Sequence, residues 1–327
     1  MPAEPTFEDI QRAAAQIRGL IHRTPVMTSR LFNEAAGVSC FFKCENLQRG
    51  GAFKMRGAAY FVSSLPESER RRGVVTYSSG NHGQAVAIAA EHFGVPATVV
   101  MPEDAPKAKI DSTRAHGATI VTYDRSREIR EEIGQAIAKE RGASIVPPYD
   151  HPWTITGQGT AAMELLDDVP DLDAVLVCLG GGGLLAGSAI AARGMKPSIE
   201  VFGVEPEIAN DWALSLKANE RVEIAQPPTI ADGLRTQKPG AVTFPIVQRL
   251  ATGVLLVSED EIRATIRFLL TRTKLVVEPS GAVAAAAALH KKLRKDFERV
   301  GIVITGGNID MEMLSSICGS PTGSFVD

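Results

Sequence analysis

The sequence predicts an α/β protein made of two open parallel-sheet domains with a ligand cleft between them. Short apolar runs alternate with amphipathic segments, and three of these segments end at Gly94, Gly117 and Gly142, where a helix C-terminus is expected. Strands that alternate with helices of this length form right-handed βαβ units and parallel sheets. The alternation is interrupted at residues 146–159, VPPYDHPWTITGQG, which we interpret as a helix-poor crossing.

The elements fall into two series. Predicted strands VVTYSS, PATVVMP and ATIVTYD each precede a predicted helix in the first series, and AVLVC, SIEVFGVEP and VGIVITGG are the predicted strands of the second. We therefore expect residues 73–149 to form a smaller domain, and residues 1–72 and 150–327 to form a larger one. A cleft between two such domains is the usual place for a ligand.

Composition excludes several classes of protein. The chain has 327 residues, 44% apolar and 22% charged, with a formal net charge of -3, so nothing in its charge favours nucleic acid or an anionic membrane. It shows neither a signal peptide nor the ~18 apolar residues of a membrane span, and we expect a cytoplasmic protein. Cys40 and Cys44 have the spacing of half a metal site, but no second pair completes it.

A run of glycines follows the predicted strand AVLVCL and opens a helix near Leu184. This glycine loop consists of Gly180, Gly181, Gly182 and Gly183. Successive backbone N–H groups at a helix N-terminus bind phosphate, whereas a tight turn would need only one or two glycines. The loop also matches a dinucleotide fingerprint, with Glu205 near the position of a ribose-binding acid. A nicotinamide-dependent oxidoreductase is therefore the alternative enzyme class.

Two further loops follow predicted strands. The first contains Ser78, Ser79, Asn81 and His82, whose hydroxyl and amide groups at a helix start suit a carboxylate. Capping of the helix by Ser79 would explain only one of these residues. The second loop is TGGN, beginning at Thr305. The carboxyl ends of parallel strands share one edge, so these loops are expected to meet.

Lys54 lies between Phe53 and Met55. Apolar neighbours lower the pKa of a lysine and favour the free amine that a nucleophile needs. Lys54 is therefore either an ordinary helix residue or a reactive amine.

Taken together, these motifs resemble the fold-type II pyridoxal phosphate enzymes, specifically the serine/threonine dehydratase and serine racemase family. The matching stretches, in family order, are HRTP from His22, KCENLQ from Lys43, GAFKMRGA from Gly51, SSGNHGQ from Ser78, TGQGT from Thr156, the glycine loop, ADG from Ala231 and TGGN from Thr305. The resemblance covers nearly the whole chain. It implies a fold like that of the tryptophan synthase β subunit, with the cofactor bound mainly by the larger domain and the substrate by the smaller one.

The resemblance also implies roles for single residues. Lys54 would hold pyridoxal phosphate as a Schiff base, Phe53 would pack beside its ring, Asn81 would bond the ring hydroxyl, the glycine loop with Leu184 would bind the phosphate, and Thr305 would contact the pyridine nitrogen. The family has serine where this chain has Ala52, which removes one hydroxyl near the phosphate. A neutral Thr305 leaves the ring nitrogen largely unprotonated, which favours elimination over a long-lived carbanion.

The implied activity is that of an ammonia-lyase for a β-hydroxy amino acid such as L-threonine, L-serine or L-threo-3-hydroxyaspartate. Ser78, Ser79, Asn81 and His82 would bind the substrate carboxylate. Lys54 would remove the Cα proton, and loss of the β-hydroxyl would lead to a 2-keto acid and ammonia. Serine racemase is the alternative activity, with Ser79 as the proton donor opposite Lys54. A ligand-sensing domain is a third alternative, but it gives Lys54 no role.

The resemblance extends to a cation site and to assembly. Glu205, Ala209 and Asp211 match a divalent-cation site of the racemase branch, where two carboxylates and a carbonyl leave room for waters around Mg²⁺. A solvated acidic loop is the alternative interpretation of these residues. The family also implies a homodimer.

Overall fold

The structure, a computed structural model, describes residues 4–105, 107–294 and 296–319. Its strands are β1 (Val26–Met27), β2 (Ser39–Cys44), β3 (Val74–Tyr77), β4 (Ala97–Pro102), β5 (Thr119–Tyr123), β6 (Ser144–Ile145), β7 (Ala174–Cys178), β8 (Glu200–Pro206), β9 (Gly253–Val257) and β10 (Arg299–Ile304).

The α-helices of these ranges surround the strands. They are α1 (Phe7–Gln16), α2 (Arg30–Ala36), α3 (Lys54–Ser64), α4 (Glu67–Arg70), α5 (Asn81–Phe93), α6 (Lys107–Ala115), α7 (Arg130–Arg141), α8 (Pro152–Asp168), α9 (Gly183–Met195), α10 (Asp211–Ala218), α11 (Thr243–Leu250), α12 (Glu259–Phe268), α13 (Pro279–Leu289) and α14 (Met311–Gly319). Within the described ranges, none of the helices combines the length and the apolar character needed to cross a membrane.

The larger sheet has the strand order β1-β2-β10-β7-β8-β9. Only β1 pairs antiparallel, with β2, and the other pairs are parallel. Alternate residues of β7 enter two apolar clusters: Leu176 lies in the cluster with α13, whereas Val175 and Val177 lie in the cluster with α8 and α9. Both faces of the sheet are therefore covered by helices, as parallel sheets require.

The smaller sheet has the order β5-β4-β3-β6 and is parallel throughout. Helix α5 and helix α3 pack in one apolar cluster with this sheet, α3 through Met55, Phe61 and Val62. The two parallel sheets predicted from the alternating elements are thus confirmed. The domain division at residues 73 and 149 stays a prediction. Helix α3 precedes residue 73, yet it packs in the apolar cluster of the smaller sheet.

The predicted crossing at residues 146–159 is wrong in its second half. Residues from Pro152 onward form the start of α8, and His151 caps that helix by accepting a hydrogen bond from the N–H of Trp153 at 3.1 Å. Proline is favoured in the first turn of a helix because its missing N–H would have no partner there. The proline that indicated a break therefore begins a helix.

Candidate active site

The three loops meet at the carboxyl ends of β3, β7 and β10, where the hydroxyl of Thr305 lies 3.4 Å from the thiol of Cys178, the last residue of β7. The backbone N–H of Phe53 donates to the carbonyl of Thr305 at 3.0 Å. The side-chain amide of Asn308 donates to Asn81 at 2.8 Å and to the carbonyl of Gly50 at 2.7 Å. These bonds bring the segment before Lys54, the start of α5 and the TGGN loop into one site.

Lys54 is the first residue of α3 and extends into this site. Its Nζ donates to the carbonyl of Pro148 at 2.7 Å and lies 5.0 Å from the ring centroid of Phe53. Burial lowers the pKa of Lys54 to about 8, although the charges of Cys178 and Glu278 act in the opposite direction. An appreciable fraction of Lys54 is therefore the free amine near neutral pH, as a nucleophile or base requires.

The glycine loop has no space for side chains at Gly181 or Gly182. A Cβ at Gly181 would lie 2.2 Å from the ring of Tyr149, and a Cβ at Gly182, where φ is +90°, would lie 2.3 Å from the ring of Trp212. The hydroxyl of Thr243 donates to the carbonyl of Gly181 at 2.8 Å. Helix α9 begins at Gly183, so its first N–H groups lack helical partners and suit an anion.

The second loop places its serines at the edge of the site. Ser78 and Ser79 are half-buried, and the Ser78 hydroxyl accepts a hydrogen bond from the N–H of Gly80 at 3.3 Å. Gly80 precedes the first residue of α5, and no side chain caps this helix. Capping by Ser79 is therefore not the role of that serine in the structure.

His82 is buried behind the loop. Its Nε2–H donates to the carbonyl of Val146 at 2.9 Å, and burial, followed by the charge of Lys54, lowers its pKa to about 3. A neutral ring that carries its proton on Nε2 offers only an acceptor at Nδ1. The role of His82 in binding a carboxylate stays a prediction, and in this geometry its backbone N–H is the available donor.

Glu278 is a site residue that the sequence analysis missed. Its Oε1 accepts a hydrogen bond from the side-chain amide of Asn81 at 2.7 Å, and a Cβ at Gly306 would lie 2.2 Å from the same oxygen. Burial, followed by the charge of Asp232, raises the pKa of Glu278 to about 8. The available signal was a single acid directly before the alanine-rich helix α13.

Thr305 is buried at the end of β10, with its hydroxyl 3.4 Å from the thiol of Cys178. A neutral hydroxyl therefore faces the site at this position. Cys40, by contrast, donates to the carbonyl of Val38 just before β2, and Cys44 donates to that of Phe42 within β2. Burial raises the pKa of each thiol to about 12. Both lie in an apolar cluster, which explains them without a metal.

The predicted cation residues come together at the end of β8. Glu205 is fully buried and accepts hydrogen bonds from the backbone N–H groups of Trp212 at 3.1 Å and Ala213 at 3.0 Å. Both oxygens of buried Asp211 lack a hydrogen-bond partner among the described residues. Burial and the nearby Asp211 raise the pKa of Glu205 well above its usual range, and burial raises that of Asp211 to about 7.

Ala209 is also buried and lies just before α10. The described part of the chain contains no cluster of three or more His, Cys, Asp or Glu side chains placed for a metal ion. A carboxylate pair is nonetheless enough for Mg²⁺, which keeps several of its waters.

The chain is similar to known proteins over most of its length. Residues 17–306 match the family described as "Pyridoxal-phosphate dependent enzyme". The chain is 47% identical to a serine racemase of Schizosaccharomyces pombe, over 94% of this chain and 95% of that protein. It is 48% identical to an L-threo-3-hydroxyaspartate ammonia-lyase of Saccharomyces cerevisiae, over 96% of each.

The fold is similar to that of maize serine racemase, with a TM-score of 0.93 and 39% identity over 96% of this chain and 97% of the maize protein. The family match spans Lys54 and the glycine loop and ends within the TGGN loop. The nicotinamide alternative is therefore wrong, and the chain belongs to the family of pyridoxal-phosphate dependent enzymes.

Proposed function

We propose that the protein is an ammonia-lyase that converts a β-hydroxy amino acid into a 2-keto acid and ammonia. The observation that carries this proposal is Lys54, a desolvated amine with a pKa lowered to about 8 at the meeting point of three loops. The yeast ammonia-lyase, 48% identical, makes L-threo-3-hydroxyaspartate the first substrate to test.

The residues present fit pyridoxal phosphate. The glycine loop, into which no side chain can be built at Gly181 or Gly182, and the adjacent Leu184 would hold the phosphate. Asn81 would bind the ring hydroxyl, Phe53 would pack on the ring, and Thr305 would face the ring nitrogen. The bound cofactor supplies an electron sink that stabilises negative charge at the substrate Cα.

The remaining steps belong to side chains of the protein. The free amine of Lys54 accepts the Cα proton, and burial keeps this amine available near neutral pH. The hydroxyls of Ser78 and Ser79 and the first N–H groups of α5 bind the substrate carboxylate, which also gains from the helix dipole. Asn81 is held by Glu278 and Asn308 on either side of its amide, so its orientation is fixed before substrate binds.

The experiment that tests the proposal is keto acid release by the purified holoenzyme. L-threo-3-hydroxyaspartate, L-serine and L-threonine are supplied separately, and we expect at least one to yield its keto acid and ammonia in equal amounts. The substrate with the highest kcat/KM then identifies the preferred side chain. Absence of keto acid from all three substrates would overturn the proposal.

Serine racemase is the second candidate, favoured by the 47% identity to the fission yeast enzyme and by half-buried Ser79 beside the carboxylate-binding loop. Racemisation needs a proton donor on the face opposite Lys54, whereas elimination does not. Ser79→Ala should therefore lower D-serine formation by about 10²-fold or more and change elimination only a few-fold. Ser78→Ala is the matched control, and equal loss of both activities in Ser79→Ala would contradict two opposed proton-transfer groups.

We also propose that Glu205, Asp211 and the carbonyl of Ala209 bind Mg²⁺. Two buried carboxylates in contact repel each other, and a divalent cation removes this repulsion. The unpartnered oxygens of Asp211 support this assignment. EDTA should lower the melting temperature of the wild-type protein, and Mg²⁺ should restore it. The cation assignment fails if EDTA lowers the melting temperature of Asp211→Asn to the same extent.

We further propose a cytoplasmic homodimer. Leu47 and Val276 remain 48% and 46% exposed, and they lie close together because the side chain of Asn46 bonds the Val276 carbonyl at 3.1 Å. Large apolar side chains exposed side by side are typical of a subunit interface. Sedimentation should give twice the mass of one chain, and Leu47→Lys should shift the protein toward monomer.

A further inference from the structure

Trp212 connects two sites that the proposed function treats separately. It is the second residue of α10, directly after Asp211, and it is the largest fully buried side chain in the described ranges. Its backbone faces the carboxylate pair at the end of β8, and its indole ring lies against the glycine loop. No role in the proposed chemistry explains a tryptophan at this position.

The backbone contact is made to a proposed cation ligand. The N–H of Trp212 donates to Oε1 of Glu205 at 3.1 Å, and the next N–H, from Ala213, donates to Oε2 at 3.0 Å. The first turn of α10 therefore binds the Glu205 carboxylate through two backbone hydrogen bonds. A cation that draws Glu205 and Asp211 together fixes the position of this turn.

The ring contact is made to the proposed phosphate site. The indole Nε1–H donates to the carbonyl of Gly180, and ring carbons lie 2.3 and 2.7 Å from where a Cβ at Gly182 would be. The centroid of the indole ring also lies 5.9 Å from that of the Phe244 ring on α11. A planar ring held on both sides transmits a displacement of the α10 turn to the loop backbone, because close-packed interiors do not absorb such shifts.

We propose that Trp212 is a positioning residue that couples the cation site to the phosphate-binding glycine loop, so that a divalent cation strengthens cofactor binding. This inference rests on the proposed function, since it concerns the cofactor and the cation assigned there. Coupling between two sites is reciprocal. Bound pyridoxal phosphate must therefore raise the affinity for Mg²⁺ by the same factor.

Thr243 supplies a matched control. Its hydroxyl donates to the carbonyl of Gly181 at 2.8 Å, so it supports the same loop as Trp212. None of its hydrogen bonds in the described structure involves Glu205 or Asp211. Thr243→Val should weaken cofactor binding to the same degree with and without the cation.

The coupling is measured by equilibrium dialysis of the holoenzyme against graded pyridoxal phosphate, once with Mg²⁺ and once with EDTA. We expect Mg²⁺ to raise the cofactor affinity of the wild-type protein about tenfold, a common size for coupling between sites. In Trp212→Phe, which keeps a ring but loses the indole N–H, this factor should fall below about twofold. In Thr243→Val it should remain about tenfold.

Each outcome decides the question. The coupling role is overturned if Mg²⁺ raises cofactor affinity as strongly in Trp212→Phe as in the wild-type protein. It is also overturned if Thr243→Val loses the Mg²⁺ effect as fully as Trp212→Phe does, or if Mg²⁺ has no effect on the wild-type protein. If the wild-type protein binds no pyridoxal phosphate under either condition, the proposed function itself fails.

A second measurement covers the case in which Trp212→Phe does not fold. The chain has two tryptophans, so Trp153→Phe leaves Trp212 as the sole source of tryptophan emission. Mg²⁺ added to the EDTA-treated holoenzyme should change this emission, and Asp211→Asn in the same background should remove the response. A cation that strengthens cofactor binding without altering Trp212 emission would overturn the proposal.

Discussion

Two lysines of this protein, fully buried Lys43 and half-buried Lys54, differ in what compensates their charge. Lys43, on β2, is fully buried, and its Nζ contacts Glu164 at 2.7 Å and the carbonyl of Thr24 at 2.7 Å. Lys54 donates to the neutral carbonyl of Pro148. Burial with a carboxylate partner stabilises the ammonium ion, whereas burial without one favours the free amine.

Lys43 belongs to a compensated ionic network beneath α3. Arg56 forms ion pairs with Glu45 at 2.7 Å and with Glu164 at 2.8 Å. Burial disfavours the charge of Arg56, but the two carboxylates outweigh it and raise its pKa. The carboxylate pKa of Glu164 is lowered, because its bonds to Arg56 and Lys43 outweigh the opposing effect of burial. Two cations and two anions thus hold β2, α3 and α8 together, whereas Lys54 on the same helix forms no ion pair with any described residue.

The largest expected effect is the loss of activity in Lys54→Ala. This substitution removes both the proposed base and the amine that would hold the cofactor, so keto acid release should fall by at least about 10³-fold. The protein should remain folded, because no charged partner loses its counterion. Borohydride treatment followed by mass measurement should show cofactor attached to the wild-type protein and none attached to the variant. Near-normal turnover would remove Lys54 from the site.

Arg56→Met should lower the stability of the protein and leave its activity nearly unchanged, the opposite of Lys54→Ala. It leaves Glu45 and Glu164 buried with too little positive charge, which destabilises a protein by about 3–5 kcal/mol. The change is measured by urea unfolding of the holoenzyme, and the kcat of the folded fraction should stay within a few-fold of wild type. A variant as stable as wild type would show that the network contributes little to folding.

The part of the fold that the sequence could predict depends on local signals. Apolar runs and helix-ending glycines are signals contained in a few consecutive residues. They were therefore enough to predict strands β3, β4 and β7 and the helices that follow them. The order of the sheet strands could not be predicted in this way, since pairing joins segments far apart in the chain. The start of helix α8 was missed because its proline and its glycines resemble breaks. The glycines instead permit close packing: a Cβ at Gly157 would lie 2.5 Å from the Arg56 carbonyl, and one at Gly159 would lie 2.7 Å from that of Gly187.

The same distinction applies to the site. Lys54, the glycine loop and Thr305 lie in short motifs, so their positions could be predicted. Glu278 and Trp212 could not, because their importance comes from partners distant in sequence. Glu278 and Asn81 are 197 positions apart, and no periodicity records that contact. A buried polar partner of this kind is found only once the chain has folded around it.

Glu278→Gln tests whether the acid beside the active lysine carries a charge. In the folded protein its pKa is raised from 4.5 to about 8, so between these values the native state binds more protons than the unfolded state. Stability from this group is therefore present below pH 4.5 and is lost as the pH rises toward 8. Glutamine, which still accepts from Asn81, should reduce this loss by up to about 5 kcal/mol.

Urea unfolding of the apoprotein from about pH 5 to pH 9 measures this difference, and Asn81→Ala serves as the control for the hydrogen bond alone. Identical pH profiles for wild type and Glu278→Gln would mean that Glu278 is ionised throughout, as a compensated acid such as Glu164 is.

The smallest expected effect distinguishes the two lysines by the sign of the change in stability when each is replaced by methionine. The pKa of Lys54 falls from 10.5 to about 8 on folding, so between these values the unfolded apoprotein binds more protons and stability rises with pH. Lys54→Met should therefore stabilise the apoprotein by about 3 kcal/mol near pH 7 and by much less near pH 10. Lys43→Met should destabilise it at both, because Glu164 and the Thr24 carbonyl lose a partner. Destabilisation by both substitutions would mean that Lys54, too, is held as a compensated charge.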